Sequence, residues 1–296
     1  MPTDVQSCGP QIAIAGATGR VGAALVGKLL GDPVQLVALS RRAKNDVLPI
    51  NVPMRTIDFD RHSSLVDALR GVERLFLAHG TSDQQVKNEI ALIDAAIESG
   101  VSYIVKLSAM GPPSKYHPFD WHTEIEARLA DTDLGYTILR PSTFTDVLSR
   151  AGAFVLQDLW GGAAGDGRVN FINTSDVADV ARVALMEERP LTSRRAYHLT
   201  GPKAVSMPEI AEAISRLLGR KVVYEHRAPD DQKQTLLDAG LTEMAAEISV
   251  GLDRIFHDSA MSETTNTYYD ITGKEPKSVD DWLKRNIAHF TSPRTD

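Results

Sequence analysis

Seven residues near the amino end, Gly16-Ala17-Thr18-Gly19-Arg20-Val21-Gly22, tie the chain to one kind of local architecture because of what stands on either side of them. An apolar strand at residues 12–15 leads directly into the run, and an apolar-periodic helix at 21–30 leaves it. Glycines suit such a turn for three reasons: the chain reverses sharply, the backbone approaches a pyrophosphate closely, and the helix packs tightly on the strand. The amino end of the helix adds free N–H groups and the positive end of its dipole, both suited to phosphate. The spacing is Gly-x-x-Gly-x-x-Gly, not Gly-x-Gly-x-x-Gly. A plain strand-to-helix turn is the competing reading, and the flanking strand and helix favour a dinucleotide site.

Length and composition narrow the rest. With 296 residues, 43% hydrophobic and 24% charged, the chain can bury a large core, which excludes disorder and fibre. That length allows two domains, or one large α/β unit with an added lobe. The single cysteine, Cys8, excludes an intrachain disulfide and any multi-cysteine zinc or iron–sulfur site, and it fits a reducing compartment. A net charge of −7 with scattered basic residues argues against nucleic acid, which needs a concentrated positive face. No segment reads as a membrane span or export signal: the uncharged run 5–19 follows Asp4 and is broken by Gly9, Pro10 and Gln11. A cytoplasmic protein with no membrane partner is expected.

Short β-branched runs at 11–15, 34–39, 52–57, 74–78, 101–107 and 136–139 alternate with helix-like segments at 20–30, 63–69, 83–99 and 121–130. This is the pattern of βαβ units and a parallel sheet. Gly31, Gly71 and Gly100 stand where left-handed helix caps are expected. Beyond Pro141 the pattern predicts a helix near 145–157, a glycine-rich stretch at 161–167, a strand at 169–172, a helix at 175–187 and a strand at 196–199 returning to the sheet. Ser206 followed by Glu209 is a capping-box signal for a helix to Leu218, with Gly219 leading into a strand at 221–226. From Asp230 onward the chain is mainly helical and polar, a lobe over the sheet's carboxyl edge. The expected fold is a Rossmann-type α/β protein: a doubly wound parallel sheet in strand order 3-2-1-4-5-6, with room for a seventh strand, and a smaller, mainly helical carboxyl-terminal lobe. Residues 1–145, with 168–200 returning, would form the cofactor-binding core, and 146–167 with 201–296 the substrate lobe.

The end of the second strand selects the dinucleotide. An acidic residue there would bind the ribose 2′-hydroxyl, but this chain has Ser40-Arg41-Arg42 with Lys44 behind. The guanidinium fork suits a phosphate, so NADP(H) is expected over NAD(H), which stays admissible. A solvated loop is the alternative for Arg41 and Arg42, and a turn cap for Ser40. Asp58, after the third strand, stands where the adenine amino group is contacted, with Phe59 beside it in the cofactor set. Ala78, His79 and Gly80, after the fourth, would border the phosphates and ribose; for His79, a loop histidine satisfied by solvent is an equal reading. Lys106, in the fifth strand, reads either as a contact to the nicotinamide ribose or as a lysine snorkelling at a strand end. The cofactor set is thus Gly16, Thr18, Gly19, Arg20, Val21, Gly22, Ser40, Arg41, Arg42, Asp58, Phe59, Ala78, His79, Gly80 and Lys106.

Larger motifs now join these residues. GATGRVG, IDFDRHSSLVDALRGVERLFL, VKLSAMGP, WHTEIEARLADTDLGYTILRPSTF, FINTSDVADVA, AYHLTGPKAVSMPEIAEAISRLLGRKVVY and YYDITGKEPKSVDDWLKRNI occur in an order that resembles the NmrA-like branch of the atypical short-chain dehydrogenase/reductase superfamily. The resemblance runs over nearly the whole chain. It implies an NAD(P)H-binding protein of a branch holding quinone and dye reductases, isoflavone-reductase-like enzymes and NmrA-type redox sensors that bind dinucleotide without turning it over. The expectation is an NADPH-dependent reductase passing hydride to a quinone or conjugated aromatic carbonyl. The alternatives are a non-catalytic NADP sensor, and a biosynthetic ketoreductase or epimerase acting on one metabolite.

Reductases of the Tyr-Lys type place Tyr-x-x-x-Lys on a helix, so that the lysine lowers the tyrosine pKa. That motif is absent here, and Tyr103 and Lys106 point to opposite faces of a predicted strand. Counting back from GYTILRP, His122 takes the tyrosine's place and Glu126 the lysine's. Four residues apart, they share a helix face, so the carboxylate could raise the imidazole's basicity and His122 could protonate a substrate oxygen. Ser108 matches the superfamily's serine position and would assist. A plain surface pair is the alternative for His122 and Glu126, and no metal site is expected. Met110, Pro112, Pro141, Thr143, Phe144, Phe154 and Trp160 are the candidate wall for an apolar or aromatic small molecule, with residues 161–167 as a mobile edge. Each of those apolar residues is equally a core residue on its own. The chain is expected to be a monomer or a homodimer.

Overall fold

The apolar runs become strands because both faces of the sheet they form are covered, so successive residues can all be buried. A computed structural model describes residues 9–42, 47–111, 117–158, 160–187 and 192–291. Its strands are β1 (Gln11–Ala15), β2 (Gln35–Ser40), β3 (Met54–Thr56), β4 (Arg74–Leu77), β5 (Tyr103–Leu107), β6 (Gly135–Pro141), β7 (Thr143–Phe144), β8 (Gly161–Gly162), β9 (Arg168–Ile172), β10 (Arg194–Leu199), β11 (Ala204–Ser206) and β12 (Glu225–His226). Its α-helices are α1 (Arg20–Leu29), α2 (His62–Leu69), α3 (Gln85–Ser99), α4 (Phe119–Ala130), α5 (Gly152–Leu156), α6 (Thr174–Met186), α7 (Met207–Leu218), α8 (Pro229–Asp238), α9 (Glu243–His257), α10 (Thr267–Thr272) and α11 (Val279–Asn286).

The main sheet runs β10-β6-β5-β4-β1-β2-β3, so the expected 3-2-1-4-5-6 order holds and the seventh strand is present. The pairings from β3 across to β6 are parallel. The chain divides into two units. One holds the described residues up to Ser108, Trp121–Arg140 and Val177–Tyr197. Its core sets Ala13, Ala15, Leu75, Leu77 and Ile104 of the sheet against Leu65, Leu69, Leu92, Ile93, Ile125 and Leu129 of α2, α3 and α4. Ile12, Ile14 and Phe76, at the alternate strand positions, are fully buried as well, as a doubly covered sheet requires.

The other unit holds Ala109–Asp120, Pro141–Asp176 and the described residues from His198. Its core gathers Trp160, Phe171, Ile214, Trp282, Leu283 and Phe290. The capping box at α7 forms as the spacing predicts, with Glu209 N–H on Ser206 Oγ and Ser206 N–H on the Glu209 carboxylate, and Gly219 closes the helix in the left-handed conformation. The described residues of 109–120, 141–145, 168–176 and 198–200, expected with the sheet, group with this unit instead.

Several local expectations change. The predicted strand at 221–226 shrinks to Glu225–His226, because Ser215 Oγ bonds both the N–H and the carbonyl of Val222 and takes that backbone out of a ladder. The helix predicted over 145–157 is a 3-10 turn at Thr145–Ala151 followed by α5. A Cβ on Gly152, where the two meet, would lie 2.1 Å from the His289 carbonyl oxygen, so the backbones touch there. Gly31 is not left-handed; α1 ends at the right-handed Leu30. The glycines at 161–167 are packing positions, not a loose edge: Cβ atoms on Gly162 and Gly167 would meet Tyr224 Oη at 2.4 Å and the Phe256 carbonyl oxygen at 1.9 Å. Cys8, Lys44 and Pro112 lie outside the described residues. Among the described residues no helix is long and apolar enough to cross a membrane.

Candidate functional site

The glycine turn is built to keep side chains out. Gly16 is left-handed with φ of 72°, and a Cβ on it would lie 2.8 Å from the Ala78 carbonyl oxygen. A Cβ on Gly22 would fall 2.1 Å from the Gly16 carbonyl oxygen. Gly19 closes the turn by donating its N–H to Gly16 O at 2.9 Å, and its own carbonyl accepts from Ala23 N–H to begin α1. As the N-cap residue it has no side chain to cap with, so the first-turn N–H groups of α1 await an outside acceptor. Gly16, Thr18, Gly19 and Arg20 are exposed along this edge, while Val21 and Gly22 are buried against it. A bare backbone cradle at a helix amino end fits a pyrophosphate.

At the end of β2, Arg41 and Arg42 are exposed, and Ser40 Oγ accepts from Arg42 N–H at 3.0 Å, so Ser40 does cap the turn that presents the arginines. Asp58 is exposed, with Oδ1 accepting from Asp60 N–H at 3.1 Å. Phe59 stands edge-on to His79, ring centroids 5.7 Å apart. His79 is not satisfied by solvent: Nδ1 lies 2.7 Å from the Gly80 carbonyl oxygen and Nε2 lies 3.0 Å from Asn88 Nδ2. Its Nδ1–H therefore donates to the carbonyl while Nε2 accepts from the amide, which holds the ring beside Ala78 and Gly80. From β2 through β1 and β4 to β5 the carboxyl ends span three strand spacings, about 14 Å. The edge thus offers a cationic end, a phosphate cradle in the middle and a polar cluster at β5, a layout for an elongated ligand.

The cluster at β5 differs from expectation. Lys106 neither snorkels nor lies open to a ligand: it is fully buried and ion-paired to Glu89 Oε2 at 2.8 Å, with Glu89 on α3 equally buried. Its ammonium also bonds the Leu107 carbonyl and stands 3.2 Å from His122 Nδ1. His122 therefore pairs with Lys106 and not with Glu126. Glu126 is taken by Arg140 of β6, through Nε at 3.1 Å and through Nη2, and by the Ser108 hydroxyl. A guanidinium and a carboxylate attract more strongly than a carboxylate and a neutral ring, so the shared helix face does not decide the pairing. Burial, and then the Lys106 charge, hold the His122 imidazole well below its usual pKa. The expected rise in basicity is thus reversed, and the ring is neutral near pH 7.

Gln85, Asn88, Glu89 and Arg140 escaped the sequence reading. The first three interrupt the apolar face of α3, where Leu92, Ile93 and Ala96 follow at helical spacing, and all three are buried. A polar patch at the first turn of an otherwise apolar helix face was the available signal.

The candidate wall residues lie in the second unit. Met110 and Pro141 are buried and joined by the Met110 N–H to Pro141 O bond of 2.8 Å; Thr143 and Phe144 are half-buried. Trp160, edge-on to Tyr224 with centroids 5.3 Å apart, and Phe154 are part of that unit's core packing.

Residues 16–188 match a family of NAD(P)H-binding proteins. Over 284 residues the chain is 28% identical to the NAD(P)H azoreductase of Xenophilus azovorans, covering 94% of this chain and 99% of that one. Over 261 residues it is 30% identical to quinone oxidoreductase 2 of Escherichia coli (strain K12), covering 84% and 91%. Among solved structures, the NADPH-dependent quinone oxidoreductase of Escherichia coli complexed with NADPH matches with a TM-score of 0.86 at 25% identity, over 93% of this chain and 99% of that one.

Proposed function

The chain belongs to the NAD(P)H-binding family, and on that premise we propose that it is an NADPH-dependent reductase acting on a quinone or a similarly conjugated aromatic acceptor. The observation that carries this reading is the bare glycine cradle at the carboxyl edge of a parallel sheet, in a chain 30% identical to a quinone oxidoreductase. When bound, NADPH supplies a hydride from its nicotinamide ring.

The residues of this chain divide the work along the edge. Gly16, Thr18, Gly19, Arg20, Val21 and Gly22 hold the pyrophosphate, and Arg41 or Arg42 takes the 2′-phosphate on the turn that Ser40 caps. Asp58 and Phe59 serve the adenine, while Ala78, His79 and Gly80 wall the central phosphates and ribose. Ser108 and His122 stand at the hydride end. Because His122 is neutral, it does not deliver a proton as an imidazolium; it offers a hydrogen bond to an oxygen gaining negative charge. That suffices for a quinone, whose reduction leaves a stabilised phenolate, whereas an isolated ketone needs a stronger acid. Solvent supplies the proton afterwards. The single cysteine suits work in the cytoplasm, where NADPH is kept reduced.

The test is NADPH absorbance across a panel of quinones and azo dyes. A reductase consumes NADPH with at least one of them. A chain that bound NADP+ in preference to NADPH and left the absorbance unchanged throughout would be a sensor.

A further inference from the structure

We propose that Glu89 and Lys106 are positioning residues that fix His122 as a neutral imidazole carrying its proton on Nε2. The proposal rests on the reductase reading above and assigns how its hydride end is held.

An ammonium group has three hydrogens to donate and no lone pair to accept with. Lys106 Nζ has three acceptors around it: the Leu107 carbonyl, Glu89 Oε2 at 2.8 Å and His122 Nδ1 at 3.2 Å. The Glu89 contact is an ion pair and not a hydrogen bond, so the hydrogen-bonding contacts of the ammonium are those to the Leu107 carbonyl and to His122 Nδ1. Since Lys106 can only donate, Nδ1 of His122 must present its lone pair, and in the neutral ring the proton then sits on Nε2. Nε2 has no partner among the described residues, so this N–H is the ring's available donor. Glu89 is held in turn by Gln85, whose Nε2 donates to Oε1 at 2.9 Å.

The charged groups that bond His122 or its partners are Lys106 on β5, Glu89 on α3, Glu126 on its own helix and Arg140 on β6; Arg128 on the same helix is paired with Asp94 of α3. Glu126 is neutralised by Arg140, which leaves Lys106 as the charge felt by the ring. A buried ion pair adds little net stability over apolar side chains of the same size. Its value here is orientation, because it sets which nitrogen of the histidine carries the proton. The step served is two-electron: hydride adds to the quinone, the negative charge gathers on the distal oxygen, Nε2–H bonds to that oxygen without leaving the ring, and solvent then protonates it.

Nitrogen-15 spectra of the histidine rings in the full chain loaded with NADP+ read the ring state without turnover. His122 should show Nε2 protonated and Nδ1 as acceptor at neutral pH, and should keep that state as the pH falls through the ordinary histidine range. In Lys106→Met/Glu89→Gln, which removes both charges together and leaves no buried charge unpaired, His122 should populate both tautomers and take up its proton at a higher pH than in wild type, the effect of burial remaining. Its quinone pH profile should gain the same titration, which wild type lacks. A wild-type ring protonated on Nδ1, or a double variant keeping the wild-type tautomer and pH profile, overturns the proposal. A chain that showed the proposed ring state yet left NADPH unconsumed would refute the reductase reading alone.

Discussion

Two glycines of α1, one turn and a half apart, should respond to alanine in opposite ways. At Gly22 the new Cβ would lie 2.1 Å from Gly16 O, 2.8 Å from Gly16 C and 2.9 Å from Ala17 Cα, all backbone atoms that cannot rotate away. Ordinary contact begins at 3.4 Å, so helix and turn must part by 3.4 − 2.1, or about 1.3 Å. Overpacking of this kind costs about 1–3 kcal/mol of stability. A shift of that size also breaks at least one N–H bond to a charged phosphate, worth roughly 1.5–3 kcal/mol. At about 1.4 kcal/mol per tenfold, Gly22→Ala should bind NADPH roughly ten- to a hundredfold more weakly. Gly27, further along the same helix, is exposed, and a methyl placed on it would have nothing within 4 Å, so Gly27→Ala should gain about 0.5–1 kcal/mol from helix propensity and keep its affinity. Titration calorimetry with NADPH and thermal unfolding of both variants read these quantities. If Gly22→Ala bound NADPH as tightly as wild type, the cradle would not be where the phosphates sit.

Arg41→Ala/Arg42→Ala should weaken NADPH far more than NADH in the same titration, and equal losses would sink the 2′-phosphate assignment. Asp253, whose Oδ2 accepts from Ala163 N–H at 2.8 Å, is pushed up to about 6 by burial from an ordinary 3.8. With the folded value above the unfolded one, its penalty is absent below the unfolded value, grows as pH rises towards about 6 and is constant above that. Asp253→Asn, which keeps an acceptor for Ala163, should therefore raise the melting temperature at neutral and alkaline pH and leave it unchanged near about pH 4. A shift of the same size at both pH values would contradict the burial argument.

The sheet and its crossovers were readable from sequence because period and punctuation are local: Gly16–Gly22 sits between its strand and helix, and Ser206 with Glu209 marks α7 to the residue. What local pattern cannot carry is competition for the same backbone or the same space. Ser215, seven residues before Val222, captures backbone groups that a β-branched run at 221–226 would otherwise lend to a ladder. Gly152 breaks a helix-like run because a backbone 137 residues later comes to rest on it. In both cases tertiary contact overrides a sound local preference.

The His122 cluster shows the same limit in its chemistry. Helical spacing correctly places His122 and Glu126 on one face, but sharing a face is a condition for pairing and not a cause of it. The pairing follows from charge. Glu126 finds Arg140, fourteen residues on, which offers two guanidinium N–H groups to its carboxylate, while His122 is left to the lysine arriving from β5. Lys106 is held in that place by Glu89 of α3, which supplies the counter-charge that burial of an ammonium calls for. Three separate stretches of chain thus decide the protonation of one ring, and the outcome reverses what the i, i+4 pair alone would produce. A neutral imidazole presenting an N–H is a weak acid but a steady hydrogen-bond donor. Among the acceptors open to an NADPH-dependent reductase, that matches those whose reduced form already spreads its negative charge over a ring.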